Sequence, residues 1–288
     1  MRKISLVALL AALVAVNVNA TDIWTGSKHV SWDEGGIQIA ATSFADAKAG
    51  DKIVVNYTSA SDGIEFKVMN AHFDHLAGSR EAAWITGDGA FEQFLTQSAA
   101  DSLKAYGLEI IGANFTCSKV ELLAGKAELK DGFTVWTGYF WVDDEGGWKT
   151  LELYWNGYAG VNWEKAKALR IYSEAQGTDY IINVKENWDE AGQIAGQDDM
   201  TDGAGYKELA LTDELRNKLE NANHWMIQFS HKELAKFKVT DVVLVMDNET
   251  AIDAIQAPNA KSQKLIENGQ VVIIKNGVKY NALGVELK

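Results

Sequence analysis

The sequence predicts an all-β protein built as two tandem jelly-roll β-sandwich modules, each with one short helix. Three observations predict this. Short β-branched and aromatic runs such as "KIVVNY", "IEFKVM", "LEIIGAN" and "KVELL" are separated by turn-forming stretches such as "SASDG", "TGDG" and "TDGAG". One order of motifs occurs twice along the chain. Finally, 47% of the 288 residues are apolar, enough to fill one core per module of about a hundred residues.

The chain begins with Arg2 and Lys3, an apolar run from Leu6 to Val16, and Val18-Asn19-Ala20. This is the pattern of a secretory signal peptide, residues 1–20, with the mature protein starting at Thr21. The run is too short for a spanning helix, no later segment is apolar enough for one, and no cysteine stands at the boundary for a lipid anchor. The expected location is therefore outside the cell or on its surface.

The first module is expected over residues 21–127 and the second over 132–247. "DIWTGSKHVSWDEGG" from Asp22 matches "TVWTGYFWVDDEGG" from Thr134: W-T-G, then D-E-G-G after a similar interval. Phe44 then faces Trp163, Phe66 faces Ile182, Val68 faces Val184, and Val120 faces Val242. "TQSAADSLKAYG" and "TDELRNKLENAN" each open on Thr, carry Leu at helical spacing and stop at Gly or Asn, which predicts a short capped helix in each copy. Residues 248–263, polar and containing Pro258, read as a linker. Residues 264–288 read as two short strands joined by an Asn-Gly turn.

Charge narrows the partners. A net charge of -13 argues against nucleic acid and anionic membrane surfaces, which need clustered Lys and Arg. Neutral sugars carry no such penalty. The single cysteine, Cys117, lies in a strand and is expected to be a buried, inert thiol.

Catalytic patterns are weak. Retaining and inverting glycosidases need two carboxylates held across a cleft; the acidic clusters at 143–147, 188–192 and 197–203 lie in turns, and none shows the Glu-x-Asp-x-Glu strand spacing of jelly-roll glucanases. They read as solvated loops, with calcium the one ion they suit; no other cofactor is implied. His72 and His75 have zinc-like spacing but lack a third ligand.

Ten Trp residues serve cores and binding platforms equally well, and the count alone does not separate these uses; in a binding site, pyranose C–H faces stack on such rings. The repeat sorts them. Trp24 and Trp136 are shared and Trp163 replaces Phe44, which points to core positions. Copies of one fold must share a core but need not share a ligand surface. Trp32, Trp84, Trp148, Trp188 and Trp225, which lack an aromatic counterpart, are therefore the candidate ligand contacts, with His72 and Arg80 beside them. Trp225 is placed opposite Glu109, on an outward strand position.

The W-T-G start, the "GLEIIGANFTCSKVEL" end of the first copy and the tandem arrangement resemble the carbohydrate-binding-type jelly-roll modules of Bacteroidetes polysaccharide degraders. The resemblance spans roughly residues 22–125 and 133–247, and the second copy departs from it by a longer loop before its last strand. It implies non-catalytic binding of plant cell-wall-type polysaccharide of the β-glucan, mannan or xylan class. The C-terminal segment, with Asn268-Gly269, Asn276-Gly277, Tyr280-Asn281 and Gly284, resembles the sorting tail of type IX secretion cargo, which implies the secretion machinery as a partner. A surface adhesin using the sandwiches for protein contacts is the alternative, and a glycoside hydrolase a third.

Overall fold

Alternation of buried and exposed residues along short strands builds the fold. The computed structural model describes residues 20–247, except 60–63, 80–82, 86–87, 127–128, 143–146, 155–156, 175–179 and 232–235, and the segments 262–267, 270–275 and 278–281. Residues 1–19, which hold most of the expected signal peptide, and residues 282–288 of the tail, with Gly284, lie outside these.

Residues 21–123 form β1 (Thr21–Val30), β2 (Ile37–Ile39), β3 (Lys52–Ser59), β4 (Ile64–Asn70), β5 (Ala83–Ile85), β6 (Gly89–Phe94), helix α1 (Gln97–Tyr106), β7 (Leu108–Ala113) and β8 (Phe115–Leu123). One sheet has the order β1-β8-β3-β6 and the other β2-β7-β4-β5. Ile53 and Val55 of the first sheet meet Phe66, Val68 and Ile110 of the second in one buried core. Two antiparallel sheets with this interleaved order are a jelly roll.

Residues 133–246 form β9 (Phe133–Val142), β10 (Lys149–Tyr154), β11 (Ala166–Glu174), β12 (Tyr180–Lys185), β13 (Gln193–Ala195), β14 (Met200–Gly203), β15 (Tyr206–Ala210), α2 (Asp213–Asn221), β16 (His224–His231) and β17 (Phe237–Met246). Their sheet orders are β14-β15-β11-β17-β9 and β10-β16-β12-β13. The order is that of residues 21–123, with β14 added at one edge, and it encloses a second core around Trp136, Leu169 and Phe229. The chain up to Met246 forms one compact unit, and Asp247–Lys288 forms another.

The W-T-G motif has a structural cause. In both places it sits where a strand pairing skips a residue: Thr25 pairs Lys119 and Lys28 pairs Cys117, while Thr137 pairs Asp241 and Phe140 pairs Val239. Such bulges turn the strand locally. The Trp ring folds back over the glycine, so an added Cβ would meet the Trp24 ring at 2.9 Å from Gly26 and the Trp136 ring at 2.7 Å from Gly138. Trp136 and Trp163 are buried, and Trp24 packs against the first core, as the shared positions imply.

The helices follow their caps. The Thr96 hydroxyl accepts from Ala99 N at 3.1 Å and Gly107 closes α1 with φ 85°, while the Thr212 hydroxyl accepts from Leu215 N at 3.2 Å. Among the described residues no helix is long and apolar enough to cross a membrane.

In the C-terminal unit the sequence expectation of two strands is corrected to three: β18 (Ser262–Glu267), β19 (Gln270–Lys275) and β20 (Val278–Asn281), paired in that order. Glu267 pairs Gln270 and Lys275 pairs Val278, so each connection is two residues long and each is Asn-Gly. Two such dipeptides make two hairpins.

Cys117 is buried on β8, and burial pushes its thiol up to about 11. The thiolate is the reactive form. Native protein at neutral pH is expected to resist a thiol-labelling reagent until denaturant is added. Rapid stoichiometric labelling of the folded chain would contradict this placement.

Candidate functional site

β6 and β9 are each the last strand of their sheet, and the two edges meet across a groove of about 410 Å³. That volume lies in the range of about 300–1,000 Å³ typical of ligand sites. Phe91, Gln93 and Phe94 line one wall, and Thr137, Tyr139 and Trp141 the other. Tyr139 and Trp141 stand two residues apart on the outward face of β9, at 48% and 54% exposure. Phe140 between them points inward and packs 5.9 Å from Phe229. Phe94 meets Tyr139 edge-on across the groove at 5.1 Å.

The segment joining the two halves is pinned at this groove. The Lys126 backbone N–H donates to Gly50 O at 2.8 Å. Its ammonium donates to Thr240 O at 2.6 Å and to Asp241 Oδ1 at 3.0 Å. The Thr137 hydroxyl donates to the same oxygen at 2.7 Å. Burial pulls the Lys126 ammonium below its ordinary range, and the Asp241 carboxylate partly offsets that. His75 and Tyr154 stack at 4.0 Å and add a further contact between the halves.

The residues singled out from sequence fall in several places. Trp32 is exposed, with the Lys67 ammonium 5.7 Å from its ring. Glu65, two residues along β4, is the register partner of Trp84, so Trp32 and Trp84 come to one end of β4. His72 follows the other end of β4, with its ring 4.3 Å from Tyr106. Trp148 is exposed just before β10, in the connection equivalent to the one that holds Trp32. Trp188 is exposed beyond the last residue of β12, which pairs Met226. Trp148 precedes Lys149, which pairs Phe229, so Trp148 and Trp188 flank opposite ends of their sheet. Arg80 lies outside the described residues. These positions do not form one site.

Trp225 is a correction. With Val68 opposite Val184, the registers place Ile110 opposite Ile227, and Leu108, not Glu109, opposite Trp225. A one-residue slip moves a side chain to the other face of a sheet. Trp225 is 0% exposed, stacks on Tyr158 at 4.3 Å, and donates from Nε1 to Leu219 O at 2.9 Å. It is a core residue.

In the acidic turn 197–203, Asp199 accepts from Gly196 N at 2.8 Å and Asp202 pairs with Lys207 at 2.7 Å; in 188–192 the Asp189 backbone N–H donates to Asn187 Oδ1 at 2.9 Å; residues 143–146 of the third cluster lie outside the described residues. No group of three or more metal-ligating side chains occurs among the described residues.

Tyr139 and Trp141 are absent from the sequence-derived candidates, although the repeat contains their signal. The registers set Cys117 against Val239, and therefore Lys28 against Phe140. Tyr139 and Trp141 then correspond to Ser27 and His29. They are an unshared aromatic pair, hidden in a run, "WTGYFWV", that is apolar at almost every position.

No protein-family model and no curated protein sequence matches the chain. Among the solved structures similar to it are the following three. One is SGBP-B of the Bacteroides ovatus mixed-linkage glucan utilization locus, in complex with a mixed-linkage heptasaccharide: 21% identity over 36% of this chain and 28% of that chain, TM-score 0.32. The chain thus spans less than a third of that protein. A secreted protein of Parabacteroides distasonis shares 7% identity over 78% of this chain and 86% of that one, TM-score 0.21. The PBSX exported protein XepA shares 10% over 77% and 86%, TM-score 0.21.

Proposed function

We propose that this protein is exported and binds polysaccharide of the plant cell-wall type, β-glucan, mannan or xylan, without cleaving it. The observation that carries the reading is the Tyr139–Trp141 pair: two half-exposed rings on one face of an edge strand, opening onto an oligosaccharide-sized groove. Sugar faces stack on exposed aromatic rings, and polar groups beside the rings take the hydroxyls. Glu92 is the one carboxylate among the groove's lining residues, and it pairs with Lys52. Glycosidic hydrolysis takes two carboxyl groups flanking the bond, so this groove suits binding. Trp32 beside Lys67, Trp148 and Trp188 are additional contacts in the proposal, outside the groove. The leader and the C-terminal tail fit export and surface sorting.

Affinity electrophoresis through gels cast with β-glucan, mannan or xylan tests this. The protein is expected to be retarded by at least one glycan. Trp141→Ala, at an exposed position that leaves the core intact, is expected to weaken binding about tenfold, the scale of one lost stacking contact. Unchanged mobility in every gel would sink the proposal. Retention that survives Trp141→Ala would move the site to the outlying tryptophans.

A further inference from the structure

The groove is set in a local concentration of positive charge that the net charge of -13 conceals. Four ammonium groups lie against its three most prominent rings. Lys52 Nζ is 5.6 Å and Lys126 Nζ 5.7 Å from the Phe94 centroid. Lys126 is also 5.3 Å, and Lys238 4.5 Å, from the centre of Tyr139. Lys236 is 4.9 Å and Lys238 5.5 Å from the centre of Trp141.

Their partners differ. Lys126 is committed to buried Asp241, and Lys52 to Glu92. Lys238, itself 19% exposed, pairs with Glu174 at 2.9 Å, and that carboxylate is 62% exposed. An exposed ion pair contributes only about 0–1 kcal/mol, so a better-placed anion can replace it. Lys236 has no carboxylate partner among the described residues; its contact is the Trp141 ring. Trp141 thus offers a stacking surface with, at its margin, one ammonium that has no carboxylate partner among the described residues and one that is weakly held.

Resting on the polysaccharide-binding reading above, we infer that the groove selects a glycan bearing carboxylates, that is, one containing uronic acid. The ring supplies the surface for the apolar face of the sugar. Lys236 and Lys238 supply charge-assisted hydrogen bonds to a carboxylate projecting from its edge. A neutral sugar would use the ring and leave Lys236 in solvent. An acidic sugar uses both. The distant acidic surface is screened at physiological salt, with a Debye length of about 8 Å, so local charge governs the contact.

The test compares the intact protein on glucuronoxylan and polygalacturonate, each beside its own carboxyl-reduced form, at low and high salt. The expected result is about tenfold tighter binding to at least one acidic glycan than to its reduced form. High salt is expected to abolish that preference, and so is Lys236→Ala, read as the ratio of binding to the acidic and the reduced form of the same glycan. Equal binding to the two forms of each glycan overturns the inference while leaving polysaccharide binding intact. So does a preference that persists in Lys236→Ala. Failure to bind any glycan, acidic, reduced or neutral, overturns the broader reading and this one with it.

Discussion

Replacing Trp225 with alanine is expected to destabilise the protein by about 3–5 kcal/mol, the range for removing a large buried aromatic. The ring is completely buried, lies flat on Tyr158 at 4.3 Å and meets Trp163 edge-on at 6.0 Å. It also does polar work. Nε1 donates to Leu219 O, and the Tyr158 hydroxyl donates to Ala222 O. These carbonyls belong to the last turn and cap of α2, where no intrahelical N–H remains to satisfy them. Burial raises the Tyr158 phenol above its ordinary value, so it remains a neutral donor. Trp225→Phe should retain most of the apolar contact yet lose about 1–3 kcal/mol by leaving the Leu219 carbonyl without its donor. Urea unfolding of both variants checks the values, and glycan retention of the folded fraction should stay at the wild-type level. A stable Trp225→Ala variant with lost binding would restore Trp225 as a ligand contact.

Lys126→Met is expected to cost about 3–5 kcal/mol, because it leaves a buried carboxylate without its counter-charge. The two side chains are 13% and 4% exposed, and after the change Thr137 is the remaining donor to the shared Asp241 oxygen among the described residues. Replacing both members, Lys126→Met with Asp241→Leu, should recover most of the loss, since apolar pairs of similar volume often match or exceed buried ion pairs. The pin also joins the walls of the groove. Lys126 is held to Gly50 in one half and to Thr240 and Asp241 in the other, with Phe94 and Tyr139 on either side of its ammonium. Thermal unfolding followed by tyrosine and tryptophan fluorescence would show the loss. A single variant within 1 kcal/mol of wild type would mean that the pin does not hold the halves together.

Much of the architecture was legible because its causes are local. Val, Ile and aromatic runs form strands. Thr96 and Thr212 announce helix starts through their hydroxyls. Asn-Gly dipeptides announce two-residue turns, although reading one of the two as a hairpin missed a third strand. W-T-G marks a strand bulge because the Trp ring occupies the space that a Cβ at the glycine would need.

The proposed binding surface was legible only in part. Comparing the copies separated Trp136 and Trp163, which are core, from exposed Trp32, Trp148 and Trp188. It failed at Trp225, where a loop of different length shifted the alignment by one residue and so inverted its face. It passed over Trp141, where aromatic neighbours on both sides of the strand concealed the alternation.

The sequence by itself determined the all-β class, the order of elements and the identity of most core positions, because these follow from periodicity, propensity and capping within a few residues. Only the tertiary structure decided that β6 and β9 meet edge to edge, that Lys126 reaches Asp241, and that lysines far apart in the chain gather around Phe94, Tyr139 and Trp141. Those contacts join residues more than a hundred positions apart in the case of Lys126 and Asp241. They depend on how sheet edges dock, and no local pattern of side chains encodes that.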